Sequence, residues 1–356
     1  MENAKNTANP VITKETKKRI QVDYDGKLSA KERFIKKLQA SNTWIKATVS
    51  VLKFILMLGV SFVIIYPFIA RIAGSFMTYE DVINSTVSLI PQNPTLEIYQ
   101  AIIQENHYWE ALKNTVILSL LCALIQMLVS CLVGYGLAKF KFKGNKLVMG
   151  LVVFTMIVPH SALSLSMSSH FTHFDLFYVI TWGNRGIFEL ILNKAIDLSD
   201  TIAPYIILSL GGLAFKNGLY IYLMRQFFKG VPDELEESAY VDGSGVFRTF
   251  FQIILPLAVP MMITVFLFSF SWQWTDQFYS ELFLLAGDDS PNKIFLMPDV
   301  YQGLTSLYSE TLPGADVYMS VIQNTGGLLI IMPLVIIYLF CQKYLVQGIE
   351  RSGLVG

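Results

Sequence analysis

The sequence predicts an all-α, polytopic membrane protein with six transmembrane helices and both termini in the cytoplasm. Three observations carry this. First, hydrophobic residues make up 53% of the 356 positions and charged residues only 15%. With a mean hydropathy of +0.49, that is too little charge to solvate an ordinary globular surface. Second, apolar runs recur at about 20 residues, the length that crosses roughly 30 Å of hydrocarbon. Third, lysine and arginine concentrate in alternate connections, as they do in loops retained in the cytoplasm.

The first expected span runs from about Val49 to Ala70 and tolerates Lys53, whose long side chain reaches back to the headgroups. The second, Asn114 to Ala138, has no charged residue. The third, Leu147 to about Ser168, is also uncharged, and Pro159 is expected to kink or end it. The fourth, Ile202 to Met224, contains Lys216. The fifth runs from about Leu257 to Trp274 and the sixth from Val317 to Gln342, both without charge. Eleven basic residues precede Val49. Lys139, Lys141, Lys143 and Lys146 fall between the second and third spans, Arg225, Lys229 and Arg248 follow the fourth, and Lys343 and Arg351 follow the sixth. The opposite connections carry acids such as Glu80, Asp81, Asp288 and Asp289.

These runs divide the chain into a basic cytoplasmic tail (1–48), a first span with its outer loop (49–108), a helical core (109–346) and a short cytoplasmic tail (347–356). The first apolar run lies too far in, and lacks the short apolar region and cleavage site, to be a cleavable signal peptide, so it is expected to remain as a helix. The basic tail reads as a solvated segment near lipid headgroups. No nucleic-acid partner is expected. Cys122, Cys131 and Cys341 fall in apolar stretches and read as small buried hydrophobes.

One polar insert separates the fourth and fifth spans. It must sit in water, because unpaired backbone groups are not tolerated in hydrocarbon. Within 226–260, Pro232 suits a first helical position, and Asp233 and Glu234 complement the positive end of a helix dipole. A helix is expected through Glu237, Ser238 and Ala239, with a left-handed turn at Gly243. Ser244 is then expected to cap a second helix, and Pro256 and Pro260 to bend the chain into the fifth span. Small residues at Ser238 and Ala239 would admit a partner backbone, and Glu237 would offer it a carboxylate. A peg of this kind passes a partner's movement into the membrane.

Residues 232–260, PDELEESAYVDGSGVFRTFFQIILPLAVP, resemble the EAA loop of binding-protein-dependent ATP-binding-cassette importers. Glu237, Ala239, Asp242, Gly243, Leu255, Pro256, Leu257 and Pro260 fit the pattern, and Ser238 replaces an alanine. YPF at 66–68, IPQNPTLE at 90–97, GYGLAKFKFKG at 134–144, RQFFKGVPDELEE at 225–237 and QKYLVQGIERSGLVG at the end extend the likeness to the carbohydrate, maltose-type branch. The resemblance implies a type I importer permease fold whose second to sixth helices form the core, in the cell membrane. It implies a second, non-identical permease as partner, an extracytoplasmic solute-binding protein, and an ATPase dimer docked on the EAA helix. Glu234, Glu237, Ser238, Ala239, Asp242 and Gly243 then inherit the coupling role.

The sequence has no G-x-x-x-x-G-K-[ST] phosphate loop, so ATP and Mg are expected on the partner ATPase, with no cofactor and no catalytic residue in this chain. Two departures stand out. Between Pro159 and Arg225 the chain is longer than the family pattern by roughly twenty residues, centred on the extracytoplasmic stretch His170 to Asp200, and in SWQWTDQF the usual asparagine is Thr275.

For the solute path, Gln126 and Asn324 lie deep in spans, where an unpaired amide is costly, and Trp272, Trp274 and Tyr279 could stack on sugar rings. Each also has a structural reading, as interhelical hydrogen-bonding groups or interfacial anchors. His160, His170 and His173 lack a further ligand of recognisable spacing, so no metal is expected. The solute class stays open between a sugar or oligosaccharide and a polyamine, phosphonate or glycerol phosphate. An anionic solute would favour basic residues in the path, and few are visible. An ion-coupled secondary transporter would show inverted repeats, broken helices and intramembrane acids, none of which is evident. A membrane sensor or scaffold would not require such a docking helix.

Overall fold

A computed structural model describes residues 41–175, 186–192, 194–284, 293–300 and 314–351. Expectations for residues 1–40, for Asp288 and Asp289, and for part of the stretch His170 to Asp200 lie outside these. Among the described residues the secondary structure is helical, apart from one isolated bridge between Phe174 and Ile196. The chain separates into two units, Met1–Ala70 and Arg71–Gly356. The described part of the first belongs to helix α1 (Ser41–Gly74), whose side chains from Trp44 to Ile69 are exposed. A helix this apolar all round cannot stand in water and belongs in a membrane.

The second unit begins with short helices α2 (Tyr79–Ile83) and α3 (Glu97–Glu105), then the long α4 (Tyr108–Lys139) and α5 (Asn145–Ile157). A 3-10 turn at His160–Leu163 leads into α6 (Ser164–Thr172), followed by α7 (Ile187–Leu192), α8 (Ala203–Leu210) and α9 (Asn217–Gly230). Next come α10 (Glu234–Val241), α11 (Val246–Thr249), α12 (Leu255–Trp274), α13 (Phe278–Phe283) and α14 (Ala315–Arg351). Helix α4 is the hub, packing against α8, α9 and α12, while α14 lies against α12.

Four stretches are single helices long and apolar enough to cross a membrane: Trp44–Gly74, Tyr108–Lys139, Val246–Trp274 and Ala315–Leu345. They match the first, second, fifth and sixth expected spans. The other two expected spans are interrupted. The third stops at Ile157 and turns by 95° into the segment His160–Thr172, with Pro159 at the corner as anticipated. Its 13-residue first half rises about 20 Å, short of a full crossing. The fourth is corrected more sharply, because Ile202 to Met224 is not one helix. The chain leaves α8 at Gly211 and enters α9 through Lys216 at φ 64°, a left-handed backbone that cannot continue a helix. Broken helices, read as absent from the sequence, are therefore present. Irregular backbone at this depth is tolerated where it is packed in protein or lines a cavity.

The prolines of the fifth span also behave differently from expectation. Pro256 and Pro260 do not separate the loop from the span, since Val246–Trp274 passes as one crossing. A π-helical turn at Phe250–Ile254 precedes Pro256, and the Leu255 N–H donates to Phe250 O. The wider turn accommodates a residue that has no N–H to give.

Helix association in lipid depends on close packing more than on expulsion of water. At the α4–α9 crossing, a Cβ on Gly134 would lie 2.7 Å from Met224 Cβ and 2.9 Å from Arg225 N. Only glycine fits there. Around it Cys131, Tyr135, Tyr220, Phe228, Phe250 and Ile254 form a buried cluster joining α4, α9 and the start of the fifth span. Cys122 is likewise buried, and Cys341 is half-buried.

Candidate coupling surface and transmembrane cavity

At one end of α9, Val231–Asp233 lead into α10. The helix starts at Glu234, two residues later than expected, because its entry is pinned from α4. Lys139 Nζ donates to Val231 O at 2.7 Å and to the Asp233 carboxylate at 2.5 Å. This bond and the lysine charge hold the Asp233 carboxyl below its ordinary pKa. Lys139 also stands in the last turn of α4, where a cation complements the helix dipole. The sequence reading used it only as a marker of orientation.

The far end of α10 is a Schellman turn. The Gly243 N–H donates to Tyr240 O at 3.0 Å and the Ser244 N–H to Ala239 O at 2.9 Å, with Gly243 at φ 80°. Ser244 was expected to cap the next helix. Gly245 takes that position instead, while the Ser244 hydroxyl accepts from Thr249 Oγ1 at 3.1 Å.

Of the six expected coupling residues, Glu234, Glu237, Ser238, Asp242 and Gly243 are exposed. Ala239 is not. It is buried against its own chain and cannot seat a partner backbone, which corrects that part of the reading. Glu236 is buried on the same inner side, with its carboxylate beside the Tyr135 hydroxyl. The outer side instead presents Val241 at 87% and Phe247 at 80% exposure, flanked by Leu235 and Tyr240. These exposed apolar groups, rimmed by Glu234, Glu237 and Asp242, leave an apolar patch uncovered on that side. Val241 and Phe247 escaped sequence reading because a short loop helix gives no periodicity to separate inner from outer residues.

At the other end of α9 lies a cavity of about 430 Å³ between α5 and the α8–α9 interruption. Thr155, His160, Ser161, Lys216, Asn217 and Phe278 are among its lining residues. The Lys216 ammonium stands 5.0 Å from the Phe215 ring centroid and 5.1 Å from that of Trp272. Asn217 is fully buried, and neither its Nδ2 nor its Oδ1 has a hydrogen-bond partner.

The four expected solute-path residues are not brought together. Gln126 is buried, donating to Ser209 Oγ at 3.2 Å and accepting from Ser269 Oγ at 2.8 Å. It ties α4 to α8 and α12 and has no free atom for a solute. Trp274 is buried too, with Nε1 donating to Ile330 O at 2.9 Å, so it links α12 to α14. Asn324 is half-buried on α14. Trp272 alone stands beside the cavity, 47% exposed. Tyr279 is buried in an aromatic cluster with Tyr205 and Phe283, 6.1 Å from the His160 ring. His170 and His173 are exposed, and no metal-binding group occurs among the described residues. Lys216 and His160 line one cavity.

Just beyond α12, Asp276 receives the Tyr279 N–H at 3.2 Å and so caps α13. Burial pushes its carboxyl up to about 6, against the lowering pull of hydrogen bonds from Tyr279 N–H and Gln273. In the longer outer stretch, Asp175 accepts from the Phe188 N–H at 2.7 Å and the Glu189 N–H at 2.9 Å. It thereby ties α7 to the end of α6.

The model of the family described as binding-protein-dependent transport system inner membrane component matches residues 126–351. The chain belongs to that family. This inner membrane component is 27% identical over 294 residues to the polygalacturonan/rhamnogalacturonan transport system permease protein YtcP of Bacillus subtilis, covering 82% of this chain and 93% of that protein. It is 25% identical over 317 residues to the arabinooligosaccharides transport system permease protein AraQ of Halalkalibacterium halodurans, covering 87% and 99%. In fold it is similar to a chain of a bacterial ABC transporter involved in the import of the acidic polysaccharide alginate, with TM-score 0.61, 21% identity, and coverage of 84% and 96%. It is thus a multi-pass membrane protein of a binding-protein-dependent transport system.

Proposed function

We propose that this chain is one transmembrane permease of an ATP-driven importer for oligosaccharides, working by alternating access. Both termini are in the cytoplasm, and the two interrupted segments complete a bundle of six crossings. A second, different permease covers the open faces, an external binding protein delivers the sugar, and an ATPase dimer grips α10 from the cytoplasm. ATP and Mg reside on that dimer.

The observation that carries this reading is the form of α10. It is a short helix fixed at its entry by Lys139 and at its exit by the Gly243 turn, with Val241 and Phe247 exposed at its end. A rigid, sticky element of this kind transmits force only if something docks on it. Family membership supplies the transport system, and relatives named for polygalacturonan and arabinooligosaccharides supply the solute class. The test is to purify the assembled complex with its binding protein and screen oligosaccharides for stimulation of ATP hydrolysis. At least one oligosaccharide should raise hydrolysis several-fold; a response only to polyamines, phosphonates or glycerol phosphate would overturn the sugar assignment.

A further inference from the structure

The cavity between α5 and the α8–α9 interruption combines features that a neutral lipid-facing hollow would not have. Its volume, about 430 Å³, falls in the range of small-molecule pockets, about 300–1,000 Å³. Lys216 lies one α9 length, about 21 Å, from the loop end of that helix, and its side chain is exposed. It has no carboxylate within ion-pair distance among the described residues, where the ion pairs are His107–Glu110 and Lys139–Asp233. His160 lines the same cavity and feels the Lys216 charge. The positive end of the 14-residue α9 opens there as well. Asn217 is also among the lining residues, with both amide atoms buried and unpartnered. The rings of Phe215 and Trp272 hold the ammonium in place, and the exposed face of Trp272 offers a platform for the C–H face of a sugar.

We propose that this cavity is a subsite for an acidic sugar unit, with Lys216 pairing the carboxylate of a uronate and Trp272 stacking on its ring. The proposal rests on the permease reading and deepens it, since it selects acidic over neutral oligosaccharides. A cation meeting a carboxylate makes a charge-assisted hydrogen bond that a primary alcohol at the same carbon cannot reproduce.

The test titrates the full chain in lipid nanodiscs with trigalacturonate and with the same trisaccharide after reduction of its carboxyl groups, following tryptophan fluorescence. Trigalacturonate should bind about tenfold more tightly, the scale of one charged hydrogen bond. Lys216→Gln should shrink that preference to less than about twofold, Lys216→Arg should keep it, and Trp272→Phe should remove most of the signal. Equal affinity for the two trisaccharides, no saturable binding of either, or an unchanged preference in Lys216→Gln would overturn the proposal. The parent-chain comparison decides the matter even if a variant fails to fold. Because binding is read without nucleotide, its failure leaves the ATP-driven reading standing, and a failure of sugar-stimulated hydrolysis is seen separately.

Discussion

The two ends of α9 meet different surroundings. Its loop end is closed, with Met224 against Gly134 at a separation that admits no side chain, Phe228 and Tyr135 packed beside it, and Lys139 bonded to the residues that follow. Its other end borders a cavity, with a left-handed Lys216 and an unpartnered Asn217, while Gly218 packs so closely on α5 that a Cβ there would lie 2.5 Å from Thr155 Oγ1. Movement of α10 would reach α9 through the Lys139 bonds and the Gly134 contact, and the cavity borders the far end of that helix about 21 Å away.

The largest predicted effect comes from prying open the closed end. Gly134→Leu forces a side chain into occupied space and should destabilise the α4–α9 crossing by about 3 kcal/mol or more. Detergent-extracted variant should unfold at a clearly lower temperature than the parent; an unchanged transition would mean the helices do not cross this closely. A smaller effect follows from loosening the clamp without disturbing the packing. Lys139→Met keeps the apolar stem but loses the bonds to Val231 and Asp233. It should lower transport per ATP hydrolysed by about threefold to tenfold, on the scale of one charged hydrogen bond, with little change in melting temperature. Equal coupling ratios would show that α10 needs no anchor on α4.

The smallest prediction concerns the cavity half. Asp276 has a folded-state pKa raised to about 6, so between its ordinary range and 6 the folded protein binds this proton more tightly than the unfolded chain does. Stability from this group is therefore lost as pH rises from about 4 to 6. Asp276→Asn should flatten that part of the melting-temperature profile. A variant with the same pH slope as the parent would exclude Asp276 as its source.

What could be read from sequence depended on how far each signal reached along the chain. The uninterrupted spans were legible because about 20 consecutive apolar residues have a single physical solution in a bilayer. Pro159 announced its corner, since proline removes a backbone donor. The fourth segment misled because its hydropathy averages over Gly211, Gly212 and Lys216, hiding a break that depends on left-handed backbone at two of them. Lys216 inside an apolar run was the available warning. The EAA loop was legible as a motif, yet which of its residues face outward was not. Ala239 turned inward and Val241 outward through the packing of α10 on Tyr135, a contact more than a hundred positions distant in sequence. Gln126 was singled out as a costly amide in a span, and Trp274 as a ring that could stack on sugar or anchor at an interface. Their partners, Ser209, Ser269 and Ile330, became visible only once the helices were assembled.

The central claim is that force enters this subunit through the exposed face of α10. Glu237 is exposed there, so reversing its charge should leave folding intact while spoiling the docking surface. Uptake of the stimulating oligosaccharide should be measured in proteoliposomes holding the complete transporter with Glu237→Lys in this chain. The account predicts parental amounts of the subunit in the membrane and ATP-driven uptake reduced to background. Undiminished uptake would contradict it.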